Sequence, residues 1–241
     1  MTGVQTCALP IFVIAQEGHE ERILPLLLLF TAVTGLLDAV SYIALGHVFT
    51  ANMTGNIVFL GFASAGVPGV SPFRCLAALA AFLIGALIGG RLAMTLAPLS
   101  TNRWRMTAFG SEAFFLIGAT LASIHYFPVP DSIRLYAVIV LTALAMGLRN
   151  ATVRKINQPD LTTTVLTLTI TGLAADSFFA GGSNPRWQRR VMSILFMFAG
   201  AAGGAVLLRH SLALPLAVAT GFAVCGMVAF YRNSRLEAMR G

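Results

Sequence analysis

The chain has 241 residues, of which 57% are hydrophobic and 10% are charged, and its mean hydropathy is +0.81. Soluble domains carry about a quarter charged residues, so this composition excludes an ordinary soluble domain and indicates an integral membrane protein in contact with the lipid bilayer. The formal net charge is +7, but the sixteen basic residues lie between apolar runs. That placement is typical of cytoplasmic loops in membrane proteins, so we expect no nucleic-acid partner.

The first eleven residues, MTGVQTCALPI, do not match the rest of the chain. They lack the basic region that precedes the apolar core of a secretory leader. Read back into codons, they correspond to the end of a common sequencing-library adaptor. We therefore interpret residues 1–23 as a scar followed by an N-terminal tail, residues 24–231 as one membrane domain, and residues 232–241 as a cytoplasmic tail.

The first apolar run, residues 24–45, carries a polar stripe on one helical face. Its members recur at spacings of three and four; they are Thr31, Thr34, Gly35, Asp38, Ser41 and Tyr42. Because a charge exposed to lipid costs a few kcal/mol, the stripe must face protein or water. Asp38 is therefore the leading functional candidate, as a proton or cation relay or as a solute contact. The alternative is a structural carboxyl, either hydrogen-bonded or paired with Arg91 or Arg149.

Two segments are too short and too polar to cross a membrane: FTANMTGNIVFLGFASAG at residues 49–66 and DLTTTVLTLTITGLAAD at residues 160–176. A helix of about ten residues is roughly 15 Å long, half of a bilayer, so the pattern predicts re-entrant or short half-helices. Their polar residues are candidates for lining a hydrated path, unless the threonine hydroxyls only bond to the preceding turn. These candidates are Asn52, Thr54, Asn56, Thr163, Thr167 and Thr171.

The starts of these half-helices, expected at Asn52 and Thr162, carry unpaired N–H groups and the positive end of the helix dipole. If both starts lie near the membrane midplane, this arrangement favours a neutral or anionic solute over a cation.

Five further apolar runs complete the membrane domain, at residues 76–97, 106–127, 133–148, 191–208 and 212–231. The motifs Gly85-x-x-x-Gly89 and Gly200-x-x-x-Gly204 allow close helix packing, either within the chain or in a homo-oligomer. Glu112 lies near Arg103 and Arg105, so we expect an interfacial ion pair there.

Cofactors and catalytic groups are not indicated by any motif. Cys75 and Cys225 stand alone, and no histidine has a carboxylate or cysteine at metal-ligand spacing, so we expect no metal and no cofactor. No nucleophile or paired-carboxylate motif appears, so we expect no enzyme and no catalytic residues.

The distribution of basic residues separates two topologies. Eight full spans would place nine basic residues on the side of the N-terminus and seven on the other, whereas six spans with two half-helices place thirteen against three. Basic loops remain in the cytoplasm, so the second split favours six spans with both termini cytoplasmic. Eight spans is the alternative.

A weak repeat at an offset of 112 residues relates GLLDAVSYIALGHVFTANMTGN to GLRNATVRKINQPDLTTTVLTL. Gly35 aligns with Gly147, and Asp38 aligns with Asn150. Three spans in each half, residues 24–127 and 133–231, would make the halves an inverted repeat, as in many channels and transporters. Eight spans would make the repeat parallel.

At GLLDAVSYIALGHVFTANMTGNIVFLG, ALAMGLRNATVRK and LTTTVLTLTITGLAAD the chain resembles the YoaK family of bacterial multi-spanning inner-membrane proteins. The likeness covers nearly all of residues 24–231, and it implies one membrane domain in a bacterial inner membrane. The family has no established function, so the matching positions inherit no roles; they are Asp38, Asn52, Thr54, Gly55, Asn56, Asn150, Thr163 and Thr167.

Three functions follow from these features. The first is a transporter or channel for an unidentified small solute, with its site at the interface of the two repeats. The candidates for contacting the solute are Asp38, the polar residues from Asn52 to Asn56, Asn150, and the threonines of the second short segment. The second is a membrane scaffold or assembly protein that does not transport, and the weakest is an intramembrane enzyme.

Overall fold

The computed structural model describes residues 9–124, 131–156, 166–184 and 186–238. Within these residues the chain is helical, which confirms the predicted all-α membrane protein. The helices are α1 (Leu9–Ala44), α2 (Met53–Ser64), α3 (Pro72–Leu96), α4 (Thr101–Ser123), α5 (Ile133–Ile156), α6 (Leu166–Ala175), α7 (Trp187–Leu207) and α8 (Ala213–Ala238), with one 3-10 turn at Phe178–Ala180.

Six of these helices are long, and they match the six predicted spans. Five are long and apolar enough to cross a membrane: the Leu24–Ala44 part of α1, α3, α4, α5 and α7. The apolar part of α8, Ala213–Ala229, is shorter, although the helix itself has 26 residues. Helix α5 continues to Ile156 and does not end at residue 148, because Arg149 is buried inside the bundle and so does not interrupt the helix.

Helix α1 ends in a turn that sends the chain back into the bundle. Gly46 and His47 adopt left-handed φ angles of +85° and +57°, and the His47 N–H donates to the Tyr42 carbonyl at 3.1 Å. The Ala51 N–H then bonds to Asp38, six residues before the end of α1, a return of about 9 Å along its axis.

Helix α2 begins directly after this return, with Asn52 as its N-cap. The helix has 12 residues, so it is about 18 Å long and too short to cross about 30 Å of hydrocarbon. The start predicted at Asn52 is confirmed.

Helix α6 is the second short helix, with ten described residues. Its predicted start at Thr162 lies outside the described residues, as does Thr163. At its other end, Asp176 forms an ion pair with Arg190 of α7 at 2.7 Å.

Two close crossings hold the centre of the bundle, α1 against α7 and α3 against α5, and α1 and α5 are the most buried spans. Glycines make both crossings tight: an added Cβ atom would overlap a backbone carbonyl oxygen of the facing helix. The overlaps pair Gly35 with Met197 and Gly200 with Ala32 in the first crossing, and Gly147 with Phe82 and Gly85 with Leu144 in the second. The predicted close packing at the glycine motifs is therefore confirmed.

The same glycine faces are occupied within the chain. Gly89 approaches Leu148 of α5, and Gly204 approaches Leu36 of α1. A homo-oligomer through these faces stays a prediction, and it would need a neighbouring surface such as that of Gly90, which an added Cβ atom would leave open.

Contacts along the helices fix their directions. Helices α4 and α8 run antiparallel, because the Thr120 and Thr220 hydroxyls lie 3.0 Å apart while Gly110 faces Met227. The two glycine crossings join parallel helices, since the numbers of the contacting residues rise together along the two helices of each crossing. With the short turns between α3 and α4 and between α7 and α8, the six long helices alternate in direction. Eight spans would make α4 and α8 parallel, so that alternative is wrong.

Candidate functional site

A cavity of about 670 Å³ lies between α1, α2, α6 and α7. A smaller pocket of about 290 Å³ adjoins it between α1 and α7 and shares four of its lining residues: Asp38, Phe49, Asn52 and Met197. Residues at the described starts of both short helices line the larger cavity: Asn52, Thr54 and Gly55 around the start of α2, and Leu166 and Thr167 in α6. This volume falls in the range of small-molecule sites, about 300–1,000 Å³.

Asp38 lies on the wall shared by the two pockets. Its side chain is only 6% exposed, and Oδ1 accepts hydrogen bonds from the backbone N–H groups of Ala51 at 2.9 Å and Asn52 at 3.3 Å. The carboxyl thus holds the re-entrant turn against α1, where these N–H groups would otherwise lack partners. Asp38 is bonded to backbone and not to Arg91, which is exposed on α3, or to Arg149.

Two asparagines of the first short segment have local partners. The Asn52 side chain accepts from the Gly55 N–H at 3.3 Å, which caps α2. Asn56 is fully buried and bonds twice to the Phe49 backbone: Oδ1 accepts from N–H at 2.9 Å, and Nδ2 donates to the carbonyl at 2.6 Å. Asn56 therefore shapes the turn and does not line the cavity.

Aromatic rings form one side of the site. Tyr42, Phe49 and Phe59 contact one another, with centroid distances of 5.4 Å for Tyr42 to Phe49, 5.6 Å for Phe49 to Phe59, and 6.2 Å for Tyr42 to Phe59. His47 packs edge-on against Tyr42 at 5.0 Å. We call Tyr42, Phe49 and Phe59 the aromatic triad.

A second buried carboxylate lies in a separate region, between α4 and α5. Glu112 and Arg149 are both fully buried and form an ion pair, with the Arg149 Nε to Oε1 distance at 2.8 Å. Arg149 also donates to the Phe30 carbonyl at 3.3 Å, and its guanidinium lies over the Phe30 ring. The predicted interfacial pairing of Glu112 with Arg103 or Arg105 is wrong, because the register of α4 on α5 brings Glu112 to Arg149 inside the bundle.

The predicted site residues divide into two groups. Asp38, Asn52, Thr54 and Thr167 line the cavity together. Asn150 is not part of its lining: its side chain donates to the Met146 carbonyl in the preceding turn of α5. Thr171 is exposed on α6 outside the cavity, and Thr163 lies outside the described residues.

The apolar part of the lining was not among the predicted site residues; it consists mainly of Phe49, Phe59 and Met197. Phe49 and Phe59 flank the polar stretch of the first short segment, which was a usable signal. Met197 lies in a uniformly apolar span and could be placed only by the glycine crossing with Gly35.

A metal centre is not formed by the part of the chain that the structure describes: no three His, Cys, Asp or Glu side chains there are grouped to hold an ion. Cys75 is buried and Cys225 is exposed, and neither forms a disulfide.

Comparison of the sequence with known proteins places the chain in a family. A family model described as "Protein of unknown function (DUF1275)" matches residues 26–229. The chain is 36% identical over 155 residues to the UPF0700 transmembrane protein YoaK of Bacillus subtilis (strain 168), a match that covers 63% of this chain and 65% of that protein. No solved structure matches. The chain therefore belongs to the DUF1275 family of membrane proteins, whose function is described as unknown.

Proposed function

We propose that the protein is a transporter or channel that moves a small solute through the cavity beside Asp38. The observation that carries this proposal is the cavity itself. It lies inside a helical bundle of spanning length, and the first described residues of both short helices line it together with a buried carboxylate. Irregular backbone and ionisable groups at membrane depth are tolerated where they line a cavity, and they commonly mark solute or ion pathways.

The matched glycine crossings support an inverted repeat. Gly35 and Gly147, aligned at an offset of 112 residues in the sequence, occupy equivalent positions in the two crossings. Their partners are also equivalent, since Gly200 and Gly204 follow Gly85 and Gly89 by 115 residues. Because α1 and α5 run in opposite directions, the halves would be inverted, and rocking of one half against the other could open the cavity to each side in turn.

The orientation is part of the proposal: a bacterial cytoplasmic membrane with both termini in the cytoplasm. The thirteen-to-three split of basic residues supports it, as does the opposite direction of α1 and α8. Reporter fusions after Gly69 and after Ser183 test it. We expect the first fusion to report a periplasmic or external position and the second a cytoplasmic one, and the same side for both would contradict the topology.

Flux through reconstituted protein tests the function. Purified protein in liposomes is assayed with a panel of small cations, anions, amines, acids and neutral solutes, beside empty liposomes and the Asp38→Asn variant. We expect flux of at least one class of solute, lost in the variant while the variant still folds. A panel without protein-dependent flux would contradict transport and favour a scaffold. An intramembrane enzyme remains the weakest proposal.

A further inference from the structure

The side chains that line the cavity beside Asp38 bear on the charge of the solute that it would bind. Among the lining residues that the structure describes, Asp38 is the one acidic residue of the two pockets, and none is Lys, Arg or His. The other polar lining groups are neutral, namely Thr34, Asn52, Thr54 and Thr167. Arg149, which the sequence offered as a partner for Asp38, is held by Glu112 instead. Within the described lining, therefore, no basic side chain lies beside the Asp38 carboxyl.

The positive end of α2 does not reverse this preference. The expected attraction for anions rested on open N–H groups at the start of the short helix, but Asp38 occupies those of Ala51 and Asn52. The Asn52 side chain occupies the N–H of Gly55. An anion at this end of α2 would lie beside the Asp38 carboxylate, which has the same charge sign, so this geometry weakens the attraction for anions that the helix dipole alone predicts.

The aromatic triad adds a second feature that attracts cations. Aromatic rings carry negative potential on their faces, and cations bind within about 6 Å of the ring centroid. Phe49 lines both pockets together with Asp38, while Phe59 lines the larger and Tyr42 the smaller. Met197 completes an apolar wall that suits alkyl groups. Aromatic faces with a single carboxylate are the arrangement that recognises alkylated ammonium groups.

We propose that the cavity binds small monovalent alkylammonium cations, with the charge near Asp38 and the alkyl groups against the aromatic triad. This inference rests on the proposed function, because it names the class of solute that the pathway carries. The aromatic and thioether part of the lining offers no oxygen ligands to a metal cation, whereas it suits alkyl groups.

The test compares two probes of the same shape that differ in charge. Binding of choline and of its uncharged carbon analogue, 3,3-dimethylbutan-1-ol, is measured by calorimetry on the purified full chain in nanodiscs. We expect choline to bind at least about tenfold more tightly. Equal binding of the two probes, or binding of the neutral alcohol alone, would overturn the proposal.

Three variants separate recognition from folding. Asp38→Asn keeps an acceptor oxygen for Ala51 and Asn52 while it removes the charge, and Tyr42→Leu changes a ring that is 39% exposed. We expect both to weaken choline binding at least about fivefold, with unchanged binding in the control Asp131→Asn, whose carboxylate is exposed and lies outside both pockets. Choline binding unchanged in Asp38→Asn would overturn the proposal.

The same probes distinguish this inference from the proposed function. Choline binding that depends on Asp38, without flux of choline in liposomes, would retain the cation site and contradict transport. Flux of neutral solutes that depends on Asp38, without choline binding, would retain transport and contradict the cation site.

Discussion

Asp38 and Glu112 are both carboxylates buried in the helical bundle, but Asp38 lines both of the described pockets and Glu112 lines neither. Glu112 is fully buried against Arg149, and their charges compensate each other. Asp38 holds a backbone turn with one oxygen and lines a cavity of about 670 Å³. The comparison shows that burial of an acid does not by itself mark a functional site. What distinguishes the two is whether a charged partner fills the adjacent space.

The largest expected effect on stability is at the Glu112–Arg149 ion pair. Arg149→Met leaves Glu112 buried without a partner, so we expect the free energy of unfolding to fall by about 3–5 kcal/mol. The double variant Arg149→Met with Glu112→Leu should recover most of this loss, because well-packed apolar residues can replace a buried ion pair. Unfolding in detergent, followed by circular dichroism, measures both. If Arg149→Met is as stable as the wild type, the Glu112–Arg149 pair does not stabilise the fold, and its contrast with Asp38 fails.

The glycine crossings should give the next largest effect. A methyl group at Gly200 overlaps the Ala32 carbonyl, whereas one at Gly203 on the same helix has open space. We expect Gly200→Ala to lose about 1–3 kcal/mol of stability and Gly203→Ala to stay near the wild type. The same measurement on Gly85→Ala, the equivalent position of the second crossing, should match Gly200→Ala. Unequal losses at Gly85 and Gly200 would speak against equivalent halves.

Asp38→Asn should change function more than stability. The amide oxygen can still accept from Ala51, so we expect a loss of unfolding free energy of no more than about 1 kcal/mol. Flux in liposomes should nevertheless fall to background. If the variant instead unfolds as readily as Arg149→Met, Asp38 is a structural residue like Glu112 and the comparison fails.

The smallest effect is expected at the threonines of α6. Thr167→Val removes one hydroxyl from the cavity and should leave stability within about 0.5 kcal/mol of the wild type. Loss of one hydrogen bond to the solute should lower flux by about 2–10-fold. Thr171→Val, which lies outside the cavity on the same helix, should have no effect on flux. Equal effects on flux at both positions would indicate that these threonines act through the packing of α6.

Features that depend on local chemistry could be predicted from the sequence. The long apolar runs identified the spans, and the polar interruption before Met53 identified the short helix and its cap, Asn52. The cavity position of Asp38 followed from the polar stripe, because a charge at that depth has few tolerated surroundings.

Features that depend on the register between distant helices could not be predicted from the sequence. Nothing local indicates that Glu112 meets Arg149 across 37 positions, nor that α5 therefore continues beyond residue 148. The cation preference that we propose for the cavity could not be predicted from the sequence for a similar reason. The sequence indicated where α2 begins and hence where its positive end lies. It did not indicate that the Ala51 and Asn52 N–H groups donate to Asp38.

Water access to the two regions tests the central claim most directly. Single cysteines are placed at Thr54, in the cavity lining, and at Thr152, fully buried near Arg149 on α5, in a variant without the native cysteines. Both are treated in membranes with a charged, membrane-impermeant thiol reagent. We predict modification of Thr54→Cys, slowed by a bound solute, and no modification of Thr152→Cys. Equal protection at both positions would contradict a hydrated solute site beside Asp38.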